Sequence, residues 1–91
     1  MALMSDLDGQ FEAAAAAASQ LDKDPGTAAK LRLYGLFKQA TSGDVAGRRP
    51  GFTDPVGRAK YDAWSAVTGT SRDEARRAYV ALVEELRGGS A

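Results

Sequence analysis

Residues 34–51 read YGLFKQATSGDVAGRRPG, a stretch that begins as helix and ends as loop. Tyr34, Phe37 and Lys38 share one helical face, because side chains three and four positions apart are neighbours. The helical signal stops at Thr41-Ser42-Gly43-Asp44. A glycine there is a usual helix end, and Ser and Asp side chains compete for backbone hydrogen bonds. Residues 42–53 then form a loop that carries Arg48-Arg49-Pro50-Gly51. Structureless loops of this length are uncommon in a compact domain and are often functional. An aromatic-and-lysine face beside a basic, glycine-rich turn points to a flat, anionic ligand such as a nucleotide with phosphate.

The rest of the chain reads as helices. Leu7, Phe11, Ala14, Ala18 and Leu21 fall at helical spacing, predicting a first helix over about Asp8 to Leu21. Its alanine run is strongly helix-forming and thin enough to pack closely on another helix. Lys23-Asp24-Pro25-Gly26 breaks it, with Asp24 as cap and Pro25 as first residue of a second helix reaching about Thr41. In that helix Ala29, Leu33, Leu36 and Ala40 form the core stripe. Lys30, Tyr34 and Lys38 form a second stripe turned away from it, flanked by Leu31 and Phe37.

Asp54-Pro55 repeats the cap-plus-proline signal and starts a third helix, over about 55–67, ended by Gly69-Thr70. Ser71 and Glu74 make a capping box for a fourth helix from Arg72 to about Arg87. Ala75, Ala78, Tyr79, Leu82, Val83 and Leu86 give it a continuous apolar stripe, and Asp73 is placed to pair with Arg77. Four helices without a strand signal predict an all-α four-helix bundle. The expected organisation is one domain over 8–88, with 1–7 and 89–91 as flexible tails.

Composition narrows the function. The 91 residues contain no cysteine and no histidine, which removes disulfides, thiolate chemistry and the commonest general base and metal ligand. No paired carboxylates stand in an evident site, so no catalysis, cofactor or metal is expected. The first residues lack a basic stretch followed by a long apolar run, and no segment approaches the ~20 apolar residues of a membrane span. A cytoplasmic protein without membrane insertion is the expectation.

Formal net charge is zero but uneven: residues 30–60 carry seven basic side chains against two acidic ones. A basic block on a neutral chain suits a local anion site better than a nucleic-acid surface, which usually needs a basic domain. Taken singly, Lys38 and Lys60 read as solvated lysines, Tyr34 as a rim aromatic, and Trp64 and Tyr79 as core residues. The alternative to a ligand site is a helical interaction module whose basic face docks an acidic partner.

KQAT-x-GD, followed by RPG, K-x-DAW and GTS, resembles the acyl-CoA-binding protein family, from near Phe11 to about Leu86. The resemblance implies a four-helix bundle of up-down-down-up order that holds long-chain fatty acyl-CoA in a groove. It also implies a monomeric carrier that buffers such esters or delivers them to acyl-CoA-using enzymes. Carried over residue by residue, Tyr34, Lys38 and Lys60 would hold the 3′-phosphate and adenine end. Tyr79 would line the groove, Leu31 would meet the ligand, and Ala15 would mark a close approach on the first helix. Trp64 would lie beside the groove. Phe37 stands where many members have a second tyrosine. Ser19 replaces a lysine of some members, Lys30 stands where an apolar residue is frequent, and Tyr61 replaces a tryptophan.

Overall fold

The structure, a computed structural model, describes residues 6–88. Four helices account for most of them: α1 (Asp6–Ala18), α2 (Thr27–Ser42), α3 (Pro55–Ser65) and α4 (Arg72–Gly88). No strand occurs among the described residues.

The contacts between helices fix their directions. Tyr34 meets Lys60 and Lys38 meets Trp64, so α2 and α3 run the same way. Phe11 meets Tyr79, and Asp8 meets Arg76 one turn earlier, so α1 and α4 are also parallel. Phe37 faces Tyr79, whereas Gln39 reaches Thr70 just ahead of α4, which makes α2 antiparallel to α4. The order is up-down-down-up.

A parallel α2–α3 pair gives the long loop a structural reason. The chain must travel back along a helix of 11 residues, about 16 Å, before α3 can start. The returning loop is tied down. The Arg49 guanidinium donates side-on to both Asp62 carboxylate oxygens, at 2.8 and 2.7 Å, and the Tyr61 hydroxyl donates to the Gly47 carbonyl at 3.1 Å. That bidentate bond lowers the Asp62 pKa and raises that of Arg49.

The core is Phe11 and Ala14 of α1, Leu33, Leu36 and Ala40 of α2, Val67, and Ala75, Tyr79 and Val83 of α4. The expected stripes of α2 and α4 face this core, with Ala29, Ala78, Leu82 and Leu86 only half-buried. Helix α4 is the shared surface: α1 and α2 both pack on it, and α3 packs on α2. Gly35 permits that last contact. A Cβ there would overlap the carbonyl oxygen of Ala63 and lie 2.8 Å from its carbonyl carbon.

Local signals succeed where no competitor is near. Ser71 Oγ accepts from the Glu74 amide at 3.0 Å, and Asp54 Oδ1 accepts from the Gly57 amide at 3.0 Å. Elsewhere the structure corrects the expectation. Helix α1 includes Asp6 and Leu7, which were expected in a tail; residues 1–5 and 89–91 lie outside the described residues. It ends at Ala18 rather than Leu21, because the Ser19 hydroxyl and the Gln20 amide turn back to the Ala16 and Ala17 carbonyls. Asp24 does not cap α2. Its Oδ1 takes the Gly26 amide at 2.8 Å, and the cap position passes to Gly26, which supplies no side-chain bond. Helix α3 ends at Ser65, where the following amides tighten into three-residue turns. Asp73 pairs with Arg76 at 2.8 Å rather than with Arg77, because Arg76 also reaches Asp8 and covers Phe11 on α1.

Candidate functional site

Helices α1 and α2 lie on the same face of α4, yet no Cα of one comes within 8 Å of a Cα of the other. A furrow therefore runs between them. Phe11 and Phe37 bridge it, stacked with ring centroids 5.6 Å apart. Tyr79 of α4 forms the floor, its ring edge-on to Phe11 at 5.1 Å and tilted against Phe37 at 6.0 Å.

The Tyr79 ring is buried, and burial pushes its pKa up. Its hydroxyl makes no hydrogen bond within the described residues, contrary to what a pure core tyrosine would require. The sealed side-chain atom without a partner is Gln39 Oε1, so the phenol keeps a path to solvent. Ala15, half-buried, follows Phe11 by one turn on α1. A small side chain at that point leaves the furrow open.

Around the side of α2, toward α3, the character changes from apolar to cationic. Lys60 Nζ lies 5.5 Å from the Tyr34 ring centroid, and Lys38 Nζ lies 4.9 Å from that of Trp64. Neither ammonium has an ion-pair partner among the described residues. Each is held over a ring face instead, which positions a cation without neutralising it. The Gly35–Ala63 approach sets this geometry, since it lies between the turns that carry Tyr34 and Lys60.

The arrangement joins two surfaces through α2. Tyr34, Lys38 and Lys60 offer an aromatic face with two free ammonium groups. Phe37, Tyr79 and Phe11 offer an apolar, aromatic bed. Phe37 and Lys38 are consecutive residues, so the two surfaces are continuous. Leu31, half-buried one turn before Tyr34, extends the apolar part. A molecule with an anionic, planar end and an apolar end fits both.

The structure departs from the sequence reading at three points. Helical spacing marks Phe11 only as an apolar position of the first helix, whereas the 5.6 Å stack makes it one wall of the furrow. Arg49 looked available for an anion, but Asp62 occupies it. The third is a polar knot around the buried Gln39 at the end of α2. Gln39 Nε2 donates to Asp44 Oδ1 and to the Thr70 carbonyl, both at 2.7 Å, and Asp44 Oδ1 also accepts from the Gly69 amide at 2.9 Å. Trp64 Nε1 donates to the Gly43 carbonyl at 2.7 Å. Gln39, Asp44 and Trp64 of the KQAT-x-GD and DAW motifs thus hold the scaffold, whereas the half-buried Lys38 of the same run bonds to none of them and lies over the Trp64 ring. Hydrogen bonds to its carboxylate, from the Gly69 amide first and the Gln39 side chain second, lower the Asp44 pKa.

Two clefts open at the opposite end of the molecule, away from Lys38 and Lys60. One, of about 360 Å³, lies between the end of α1 and the start of α2; the other, of about 710 Å³, lies between the α1–α2 connection and the end of α4.

Comparison with known proteins identifies the family. The family described as Acyl CoA binding protein matches residues 8–83. The acyl-CoA-binding protein homolog 1 of Caenorhabditis elegans is 47% identical over 76 residues, 84% of this chain and 88% of the relative. The acyl-CoA-binding protein homolog of Manduca sexta is 44% identical over 81 residues, 88% of this chain and 90% of that protein. The chain also matches 20% of the length of enoyl-CoA delta isomerase 2 of Rattus norvegicus, at 46% identity over 80 residues. Among solved structures, Oryza sativa acyl-CoA-binding protein 2 superposes with a TM-score of 0.88 at 42% identity, covering 92% of this chain and 93% of its own. On family match, identity and fold together, this chain belongs to the acyl-CoA-binding protein family.

Proposed function

We propose that this protein is a non-catalytic, monomeric carrier that binds long-chain fatty acyl-CoA esters one to one. It holds the nucleotide end at Tyr34, Lys38 and Lys60 and the apolar part along Leu31, Phe37, Ala15 and Tyr79. The observation that carries this reading is the pair of partnerless ammonium groups beside Tyr34, continuous through Phe37 with the furrow. In this reading the two lysines take the 3′-phosphate in charge-assisted hydrogen bonds, and the Tyr34 ring packs against the adenine. Family membership supports the ligand class.

The role that follows is to keep the ester in solution and pass it to enzymes that use acyl-CoA, in the cytoplasm. No helix of the described residues is long and apolar enough to cross a membrane. The rival, an acidic partner docked on the basic central block, is weaker on the geometry. Lys30 is paired with Asp24 and Arg49 with Asp62, so the block is not one open cationic face.

Titration calorimetry with a long-chain acyl-CoA, free CoA and the free fatty acid tests the proposal. The expected result is one site per chain, Kd micromolar or tighter for the ester, and much weaker binding of the acid. Trp64 fluorescence should respond to the ester, since Lys38 sits on its ring and would move onto the phosphate. Equal affinity for ester and free acid would overturn it.

A further inference from the structure

The cleft of about 360 Å³ at the end of the furrow is partly apolar, with Ala18, Leu21 and Leu33 in its lining. It also contains an ion pair. Lys30 Nζ lies 3.0 Å from Asp24 Oδ2, and Asp24 is itself fixed by the Gly26 amide on Oδ1 at 2.8 Å. Lys30 therefore leans from α2 toward the α1–α2 connection. It belongs to the same α2 stripe as Tyr34 and Lys38, two turns from Lys38, which is about 12 Å along the helix. The cationic, aromatic end of the site and this pair are thus opposite ends of one face.

We propose that the Lys30–Asp24 pair closes the far end of the furrow and sets the length of acyl tail that the protein accepts. The inference rests on the acyl-CoA reading above. In an acyl-CoA the thioester lies between nucleotide and tail, so anchoring the phosphate at Lys38 and Lys60 sends the tail toward the other end. Each methylene laid on apolar side chains leaves water and improves Kd about fourfold. A methylene that must lie against a paired ammonium and carboxylate displaces their water instead, and gains little. The affinity gain per carbon therefore stops where the tail meets the pair.

The test is a series of saturated acyl-CoA esters of increasing length, titrated into the full chain and into Lys30→Met. Methionine keeps a flexible unbranched apolar stem, one atom shorter, and removes the charge. The expected result is equal affinity for short tails, then a plateau in the parent protein at a length where Lys30→Met still gains. The difference on the longest tails should be tenfold or more, the effect of about two further methylenes. Asp24→Asn keeps an acceptor for the Gly26 amide and releases the Lys30 ammonium to swing into solvent without removing its charge, so it should lengthen the accepted tail in the same direction but by less. Parallel series, with a constant factor or none between parent and both variants, would overturn the role of the pair and leave acyl-CoA binding standing. Binding of no ester by either protein would overturn both.

Discussion

The sharpest consequence of the site geometry concerns Lys60 and the 3′-phosphate. Lys60 is exposed and packs over Tyr34 without a carboxylate partner, so its removal deletes a cation but leaves no buried charge behind. Lys60→Ala should therefore leave the fold intact, costing at most the ~0.5–1 kcal/mol of an exposed cation–π contact. A charge-assisted hydrogen bond to phosphate contributes roughly 1.5–3 kcal/mol, and exposure puts Lys60 toward the lower part of that range. A loss of about 1–2 kcal/mol follows, five- to thirtyfold in Kd. Removing the 3′-phosphate from the ligand deletes the contacts of both lysines and should cost about 2–4 kcal/mol. The assay is a double cycle by titration calorimetry: parent and Lys60→Ala, each with a long-chain acyl-CoA and with its 3′-dephospho form. Because both changes delete one shared contact, Lys60→Ala should lose little more with the dephosphorylated ligand. Additive losses would refute the assignment of Lys60 to that phosphate.

Three further outcomes are expected. Gly35→Ala forces a methyl group against the Ala63 backbone, so overpacking of roughly 1–3 kcal/mol should outweigh the ~1 kcal/mol helix-propensity gain; a denaturant melt showing a more stable variant would contradict the close α2–α3 approach. Phe37→Tyr should bind acyl-CoA as well as the parent or better, because Phe37 is 38% exposed and a hydroxyl can be added without burying it; a clear loss of affinity with the fold intact would count against this placement. Asp44 has a folded-state pKa below its ordinary value of 3.8, so its bonds stabilise the fold above that pH and the stabilisation fades as pH falls through the lowered value. Asp44→Asn does not titrate, so the stability gap between parent and variant should narrow from about pH 6 to about pH 3; a gap independent of pH in thermal melts would show that the carboxylate charge is not involved.

What could be read in advance was local. Ser71 and Glu74 sit three apart and meet as a capping box, and Asp54 caps through an amide three positions on. Asp24 shows the limit of such reading: its carboxylate takes the Gly26 amide two positions on, and the cap of α2 falls to Gly26 itself. The Gln39–Thr70 and Asp44–Gly69 bonds join residues 31 and 25 positions apart, so they exist only once the α3–α4 turn has come to rest beside α2. Of the site, Tyr34, Lys38, Phe37 and Leu31 follow from the helical spacing of α2. That Lys60 belongs beside them depends on α3 running parallel to α2, and no pattern within α3 itself states that. Arg49 was misjudged for the same reason, since its partner Asp62 is one helix away.

The helix shared by α1 and α2 is the last of the four in the chain. During synthesis α2 and α3 can already meet through Gly35 and Ala63. Helix α1 emerges first, but the rings that bury Phe11 and the side chain that takes Asp8 belong largely to α4. Until the ribosome releases Arg72–Gly88, the alanine-rich face of α1 has no backbone to lie on. Folding must therefore close a loop spanning most of the chain, and such distant pairings slow the search relative to bundles built from neighbouring helices. The furrow comes into being only at that closing step, so a nascent chain can assemble the cationic α2–α3 end of the candidate site first and gains its apolar part last.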